Sequence, residues 1–177
     1  MQPMMKTASI LFASLALAAC SGADMRMGAG ARAVATLEPT KGNTASGSAE
    51  FVERGGKVHV TATVTGLAPN QEHGFHVHEK GDCSSGDGMS AGGHFNPDGK
   101  PHGPQGAPHH AGDMPSLKAD ASGNAKATFV LDDVTVASGP KSVVGRGLIV
   151  HKDPDDFKTQ PTGNAGARLA CATIRAA

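Results

Sequence analysis

The sequence predicts an all-β domain, a sandwich or barrel of about eight short antiparallel strands. Three observations predict it. The composition is rich in small residues and poor in rings: 24 Gly and 11 Pro against six Phe, with no Trp and no Tyr, which fits strands joined by long loops better than a helical bundle. Val58, Val60, Ala62 and Val64 alternate with His59, Thr61, Thr63 and Thr65, the period of a strand with one buried face. Gly- and Pro-containing turn signals then separate a series of similar short apolar runs.

Taken in order, Ala33 to Leu37 reads as the first strand. Gly47 to Glu53 and Lys57 to Thr65 form a hairpin across Arg54-Gly55-Gly56, with His59 on the solvated face. A turn over Gly66 to Asn70 leads into a strand from Glu72 to His78. Glu79 to Pro115 follows, 37 residues with almost no periodicity. A loop of that length in a compact domain needs a reason, and bound metal with a disulfide supplies one. Strands resume at Ser116 to Ala119, Ala125 to Leu131 and Gly145 to His151. A second irregular stretch, Lys152 to Ala165, precedes a last strand from Arg168 to Ile174. No repeat and no linker divides this region, and 177 residues suit one domain.

Residues 1–19 stand apart. Lys6 is a short positive region and Ile10 to Ala19 the apolar core of a secretory signal, too short to span a bilayer. Leu17-Ala18-Ala19-Cys20 resembles the lipobox of bacterial lipoproteins. The expectation is a signal peptide over 1–19, lipid on Cys20, a flexible Gly-rich tether over 20–31 and a folded domain over 32–177. An ordinary cut near Ala19 is the other reading. If Cys20 carries lipid, Cys83 and Cys171 remain, and two thiols in an exported chain pair naturally. The expected place is the periplasm, on a membrane; Ser21 after the cysteine, where an Asp would signal inner-membrane retention, points to the outer one.

The 16 Lys and Arg balance the 16 Asp and Glu, so the basic footprint of a nucleic-acid partner is missing. The histidines carry the chemistry. His76 and His78 flank Val77 on a strand, so both imidazoles share one face while Val77 turns to the core. Neutral imidazoles suit copper and zinc. Downstream, His94, His102, His110 and Asp113 follow an H-x7-H-x7-H-x2-D pattern, and three imidazoles with one carboxylate make a closed tetrahedral zinc shell. His151 ends the apolar run Leu148-Ile149-Val150, where it can join His76 and His78 in a second site.

The segments GFHVHEKGDC, GGHFNPDGKPHG, HHAGDMP, GRGLIVHKDPDD and GNAGARLACATI resemble, in order over about residues 33 to 175, the copper–zinc superoxide dismutases of the bacterial exported branch. The resemblance implies an eight-stranded antiparallel Greek-key sandwich or barrel with two long loops. It implies one copper per chain on His76, His78, His94 and His151, and one zinc on His94, His102, His110 and Asp113, with His94 shared. It casts Asp155 as the carboxylate behind one ligand of each metal, Arg168 as the guide for the anion, and Cys83–Cys171 as a disulfide. In the family motif H-x-G-D the ligand is His110, leaving His109 as a loop residue; His73 matches a structural histidine that bonds backbone. Asp156 replaces Asp155 only if the loop shifts.

The implied activity is dismutation of superoxide to dioxygen and hydrogen peroxide, with His94 and Arg168 as the catalytic side chains. The chain departs from the eukaryotic branch in FKTQPT, after Asp156, which lacks that branch's run of charges; only Lys152 and Lys158 are nearby. The alternative is a non-catalytic periplasmic copper- and zinc-binding protein on the same fold, which would lack a copper ligand or the arginine. The expected partners are superoxide and, through the lipid, a membrane, with the chain a monomer or homodimer.

Overall fold

The computed structural model describes residues 30–177; the expected signal peptide over 1–19, Cys20 and most of the expected tether over 20–31 lie outside the described residues. The strands are β1 (Arg32–Pro39), β2 (Ser46–Arg54), β3 (Lys57–Thr65), β4 (Glu72–His73), β5 (Phe75–His78), β6 (Leu117–Lys118), β7 (Ala125–Leu131), β8 (Gly147–His151), β9 (Arg168–Thr173) and β10 (Arg175–Ala176). Among the described residues the one helical element is a 3₁₀ turn, Met89–Ala91.

Alternation sets the sheet. Every second residue of β1 and β3 is buried, which fixes register because a one-residue slip would turn the apolar set outward. The long antiparallel sheet runs β5-β8-β9-β1-β2-β3-β7, with β10 added to β1, and β4 pairs with β6 alone. The chain runs from β4 into β5 through Gly74, and Asp120 to Asn124 turns β6 into β7. The small ladder therefore joins both edges of the long sheet, giving a Greek-key order in which β7 returns beside β3. The main core lies inside, with Phe51, Val60, Phe75, Leu148 and Ile174 wholly buried. Its apolar burial is the main force holding the sheet together.

Two differences from the expected strands have local causes. Glu72 to His78 divides because Gly74 changes partners: its N–H donates to Asp153 O and its carbonyl accepts from His151 N–H, at 2.9 and 2.8 Å. The last strand stops at Thr173, where the Ile174 N–H turns to Arg146 O and the chain crosses to β1 as β10.

The 79–115 loop lies across β8 and β9. Ala91, Ile149 and Cys171 form a second small apolar cluster beneath it, with Cys83 packed alongside. The Cys83–Cys171 disulfide closes this contact across 88 residues of sequence, with Cα atoms 5.9 Å apart.

Candidate metal centre

β5 presents His76 and His78 side by side, and both are fully buried because the long loop covers that face. The loop does so by mimicking strands. Phe95 N–H donates to Val77 O and Val77 N–H to Gly112 O, both at 2.9 Å. This places His94 opposite His78 and Asp113 opposite His76 as isolated β-bridges. On the other side β8 brings His151 beside Gly74. Residues far apart in sequence thus meet through backbone pairing.

Two donor groups result, one of His76, His78, His94 and His151 and one of His94, His102, His110 and Asp113. Within each group the ligand atoms lie within 4.8 Å of one another, and all seven residues are buried. His94 belongs to both. Its Nδ1 lies 2.8 Å from Asp113 Oδ1, while its Nε2 faces the first group with no hydrogen-bond partner.

Four of the outer nitrogens are occupied. His76 Nε2 pairs with Asp155 Oδ2 at 2.7 Å, His78 Nδ1 with Gly92 O at 3.0 Å, and His151 Nδ1 with Gly166 O at 3.3 Å. His102 Nε2 pairs with Asp155 Oδ1 at 2.9 Å. Four of the inward atoms are bare. His76 Nδ1, His94 Nε2, His102 Nδ1 and His110 Nδ1 are buried without partners, although His102 Nδ1 lies 3.0 Å from Asp113 Oδ2, out of line for a hydrogen bond. His78 Nε2 and His151 Nε2 face each other at 3.3 Å. Buried polar atoms are normally paired, so inward lone pairs in this number mark a place for cations. The first set is four nitrogens and the second three nitrogens and a carboxylate, which suit copper and zinc.

Electrostatics agree. Burial, with the neighbouring His94, pushes His76 down to about 4, and burial also holds His78 and His151 well below the ordinary histidine value. These rings therefore present neutral lone pairs. Burial opposes charge on His102 too, but Asp113 and Asp155 outweigh it and raise that ring to about 9. Burial likewise opposes ionisation of Asp113 and Asp155, yet hydrogen bonds from the histidines beside them hold both carboxyls below the usual range. The carboxylates are thus ionised and ready to balance a cation.

Gly163 makes room for the Asp155 link: it has φ +65°, and a Cβ there would overlap Asp155 Oδ1. Asp156 instead caps the Lys158 and Thr159 N–H groups at the surface. His109 points away from the cluster, its Nδ1 on Ala107 O and its Nε2 3.6 Å from Asp133. His73 bonds the carbonyl of His151 through Nδ1 at 2.9 Å.

Arg168 sits opposite His151 on β9, half-buried. Its Nη1 and Nη2 donate to Gly88 O and Gly92 O, each at 2.6 Å. Burial lowers its pKa from the usual arginine value, but a guanidinium keeps its charge in proteins. Sequence reasoning missed these two carbonyl anchors, because backbone oxygens carry no sequence signal. Lys152 and Lys158 are exposed.

Comparison with known proteins agrees with this geometry. The family described as "Copper/zinc superoxide dismutase (SODC)" matches residues 45–174. "Superoxide dismutase [Cu-Zn] 2" of Aquifex aeolicus (strain VF5) is 40% identical over 180 residues, covering 97% of this chain and all of that one. "Superoxide dismutase [Cu-Zn] 2" of Brassica juncea is 46% identical over 152 residues, covering 81% and 96%. A solved structure titled "Crystal Structure Analysis of the clock protein EA4" aligns with TM-score 0.74 and 41% identity, over 81% of this chain and 93% of that one.

Proposed function

This chain belongs to the copper/zinc superoxide dismutase family, and on that premise we propose how its residues divide the work of the reaction. The enzyme binds copper and zinc and dismutates superoxide to dioxygen and hydrogen peroxide. His76, His78, His94 and His151 hold the copper, and His94, His102, His110 and Asp113 the zinc. The observation that carries this assignment is the set of bare, buried, inward nitrogens arranged on both sides of His94. When bound, copper exchanges single electrons by changing oxidation state, while zinc has no redox chemistry and steadies its ligands.

His94 is the ring with work on both nitrogens. Asp113 beside Nδ1 holds the imidazole in place, so Nε2 is the atom that would take up one proton and give it to the departing peroxide, whose second proton comes from solvent. Asp155 ties His76 to His102, so a ligand of each metal is oriented by one carboxylate. Arg168 draws the anion in; with two nitrogens fixed on loop carbonyls its plane cannot swing, and its charge raises the local concentration of superoxide. A non-catalytic metal binder does not explain an arginine held in that place.

The signal peptide, a lipidated Cys20 and a periplasmic, membrane-tethered location belong to the same proposal. They are supported by the LAAC motif and by the disulfide, which a reducing cytosol would open. The metal assignment is tested by elemental analysis of the mature protein, with activity measured before and after chelation. One copper and one zinc per chain, with activity lost on chelation and restored by copper, is expected. Zinc alone, with no activity after copper is supplied, would refute it.

A further inference from the structure

His102 has four polar atoms, and one short loop engages three of them. Its backbone N–H donates to Gln160 Oε1 at 2.8 Å, and Gln160 Nε2 donates to its backbone carbonyl at 2.8 Å. Its Nε2 meets Asp155. Only Nδ1 remains free, and it is the nitrogen that faces Asp113 and the zinc group. Phe157, between Asp155 and Gln160, lies parallel to the ring at 4° with centroids 6.3 Å apart.

We propose that Gln160 is a positioning residue for the zinc site: its amide pairs with both backbone groups of His102, so that the ring leaves Nδ1 alone for the metal. The proposal rests on zinc occupying the His94, His102, His110 and Asp113 group. A primary amide suits the task because it accepts and donates at one end, as a neighbouring strand would. His102 has no such neighbour. It lies outside every strand, Pro101 before it has no N–H, and Gly103 N–H is spent on Asp113 Oδ2 at 3.2 Å. The orientation of the amide is fixed by its partners: the His102 N–H requires Oε1, while the carbonyls of His102 and, at 3.3 Å, Lys158 require Nε2. The loop that lacks a run of charges therefore has a different task, holding a zinc ligand by its main chain.

The test compares the full-length parent with Gln160→Met, which keeps length but loses both bonds, and Gln160→Glu, which keeps the acceptor and loses the donor. Three quantities are read: zinc release to a chromophoric chelator, the visible spectrum with cobalt(II) in the zinc position, and amide hydrogen exchange at His102. In Gln160→Met, zinc release about tenfold faster or more is expected, with altered cobalt bands, lost protection at His102 and unchanged copper release. Gln160→Glu falls between, and carries the same comparison if the Met variant does not fold. Zinc release and cobalt bands like the parent's in both variants would overturn the proposal. So would equal acceleration of zinc and copper loss with a lower melting temperature of the metal-free protein, since that is a loss of general structure. If the parent itself takes up neither zinc nor cobalt, the zinc assignment fails first and the proposal with it, whereas parent uptake with unaffected variants defeats the proposal alone.

Discussion

His151 and Arg168 face each other across β8 and β9 because the ladder slips by one residue between Val150 and His151. In the register that pairs Val150 with Ala170, His151 would oppose Leu169, a partly buried residue packed against the main core. The slip exchanges that leucine for a cation beside His151, one of the four residues proposed to hold copper. Bulges that re-aim a side chain in this way are common next to active sites.

From this arrangement, Arg168→Glu is expected to lower kcat/KM by about 10- to 1000-fold, the range over which electrostatic steering acts. Copper and zinc contents should change little. Arg168→Lys keeps the charge but lacks the planar fork that gives Gly88 O and Gly92 O a nitrogen each, so it should fall between. Activity against ionic strength is the measurement: the parent slows with salt and the Glu variant does not. A loss matched by lost copper would take Arg168 out of anion guidance.

Asp155 contacts one ligand of each group, at 2.7 Å to His76 and 2.9 Å to His102. Asp155→Ala should weaken retention of both metals by about 10- to 100-fold before it affects the β-sheet. Competition with chelators, alongside circular dichroism, separates the two. Full occupancy of both metals in the variant would show that another group orients the rings.

Removing the disulfide with Cys83→Ser should free the long loop from β9. Closing an 88-residue loop can contribute about 4 to 5 kcal/mol through the entropy of the unfolded chain. Chemical denaturation of the variant, and of the parent with and without reductant, measures this. Identical midpoints would mean that the apolar cluster of Ala91, Ile149 and Cys171 holds the loop unaided.

Gly112 lies between His110 and Asp113, where its carbonyl accepts from Val77 N–H and its own N–H donates to Phe95 O. A Cβ there would overlap the Val77 carbonyl oxygen. Gly112→Ala should cost roughly 1 to 3 kcal/mol as overpacking and weaken zinc binding, because the backbone beside His110 and Asp113, two of the four residues proposed to hold zinc, must move. Thermal melting with and without zinc checks it; a variant with the parent's Tm in both forms would show that the loop yields freely.

Cys20→Ser followed by cell fractionation tests the anchor. The parent is expected with membranes and the variant free in the periplasm, since several acyl chains together give firm anchoring. If both are soluble there, an ordinary signal cut takes the place of lipidation.

Much of this was legible in the sequence, because strand periodicity is local. Two-residue alternation in β3 sufficed to say which faces are buried, and H-x-H on β5 to put two imidazoles on one side. The identity of the ligand types, the two cysteines and the arginine were likewise visible as residues, and the match of spaced motifs named their family. Tertiary structure alone decided how they meet. Pairing of loop backbone with β5 brings His94 to His78 and Asp113 to His76, and nothing in the aperiodic stretch from Glu79 to Pro115 announces it. The division at Gly74, the slip at His151, the carbonyls that hold Arg168 and the amide that holds His102 all turn on hydrogen bonds to main-chain N–H or C=O groups. Every residue carries the same N–H and C=O apart from proline, so sequence cannot say which of them will be partners; only the folded chain assigns them.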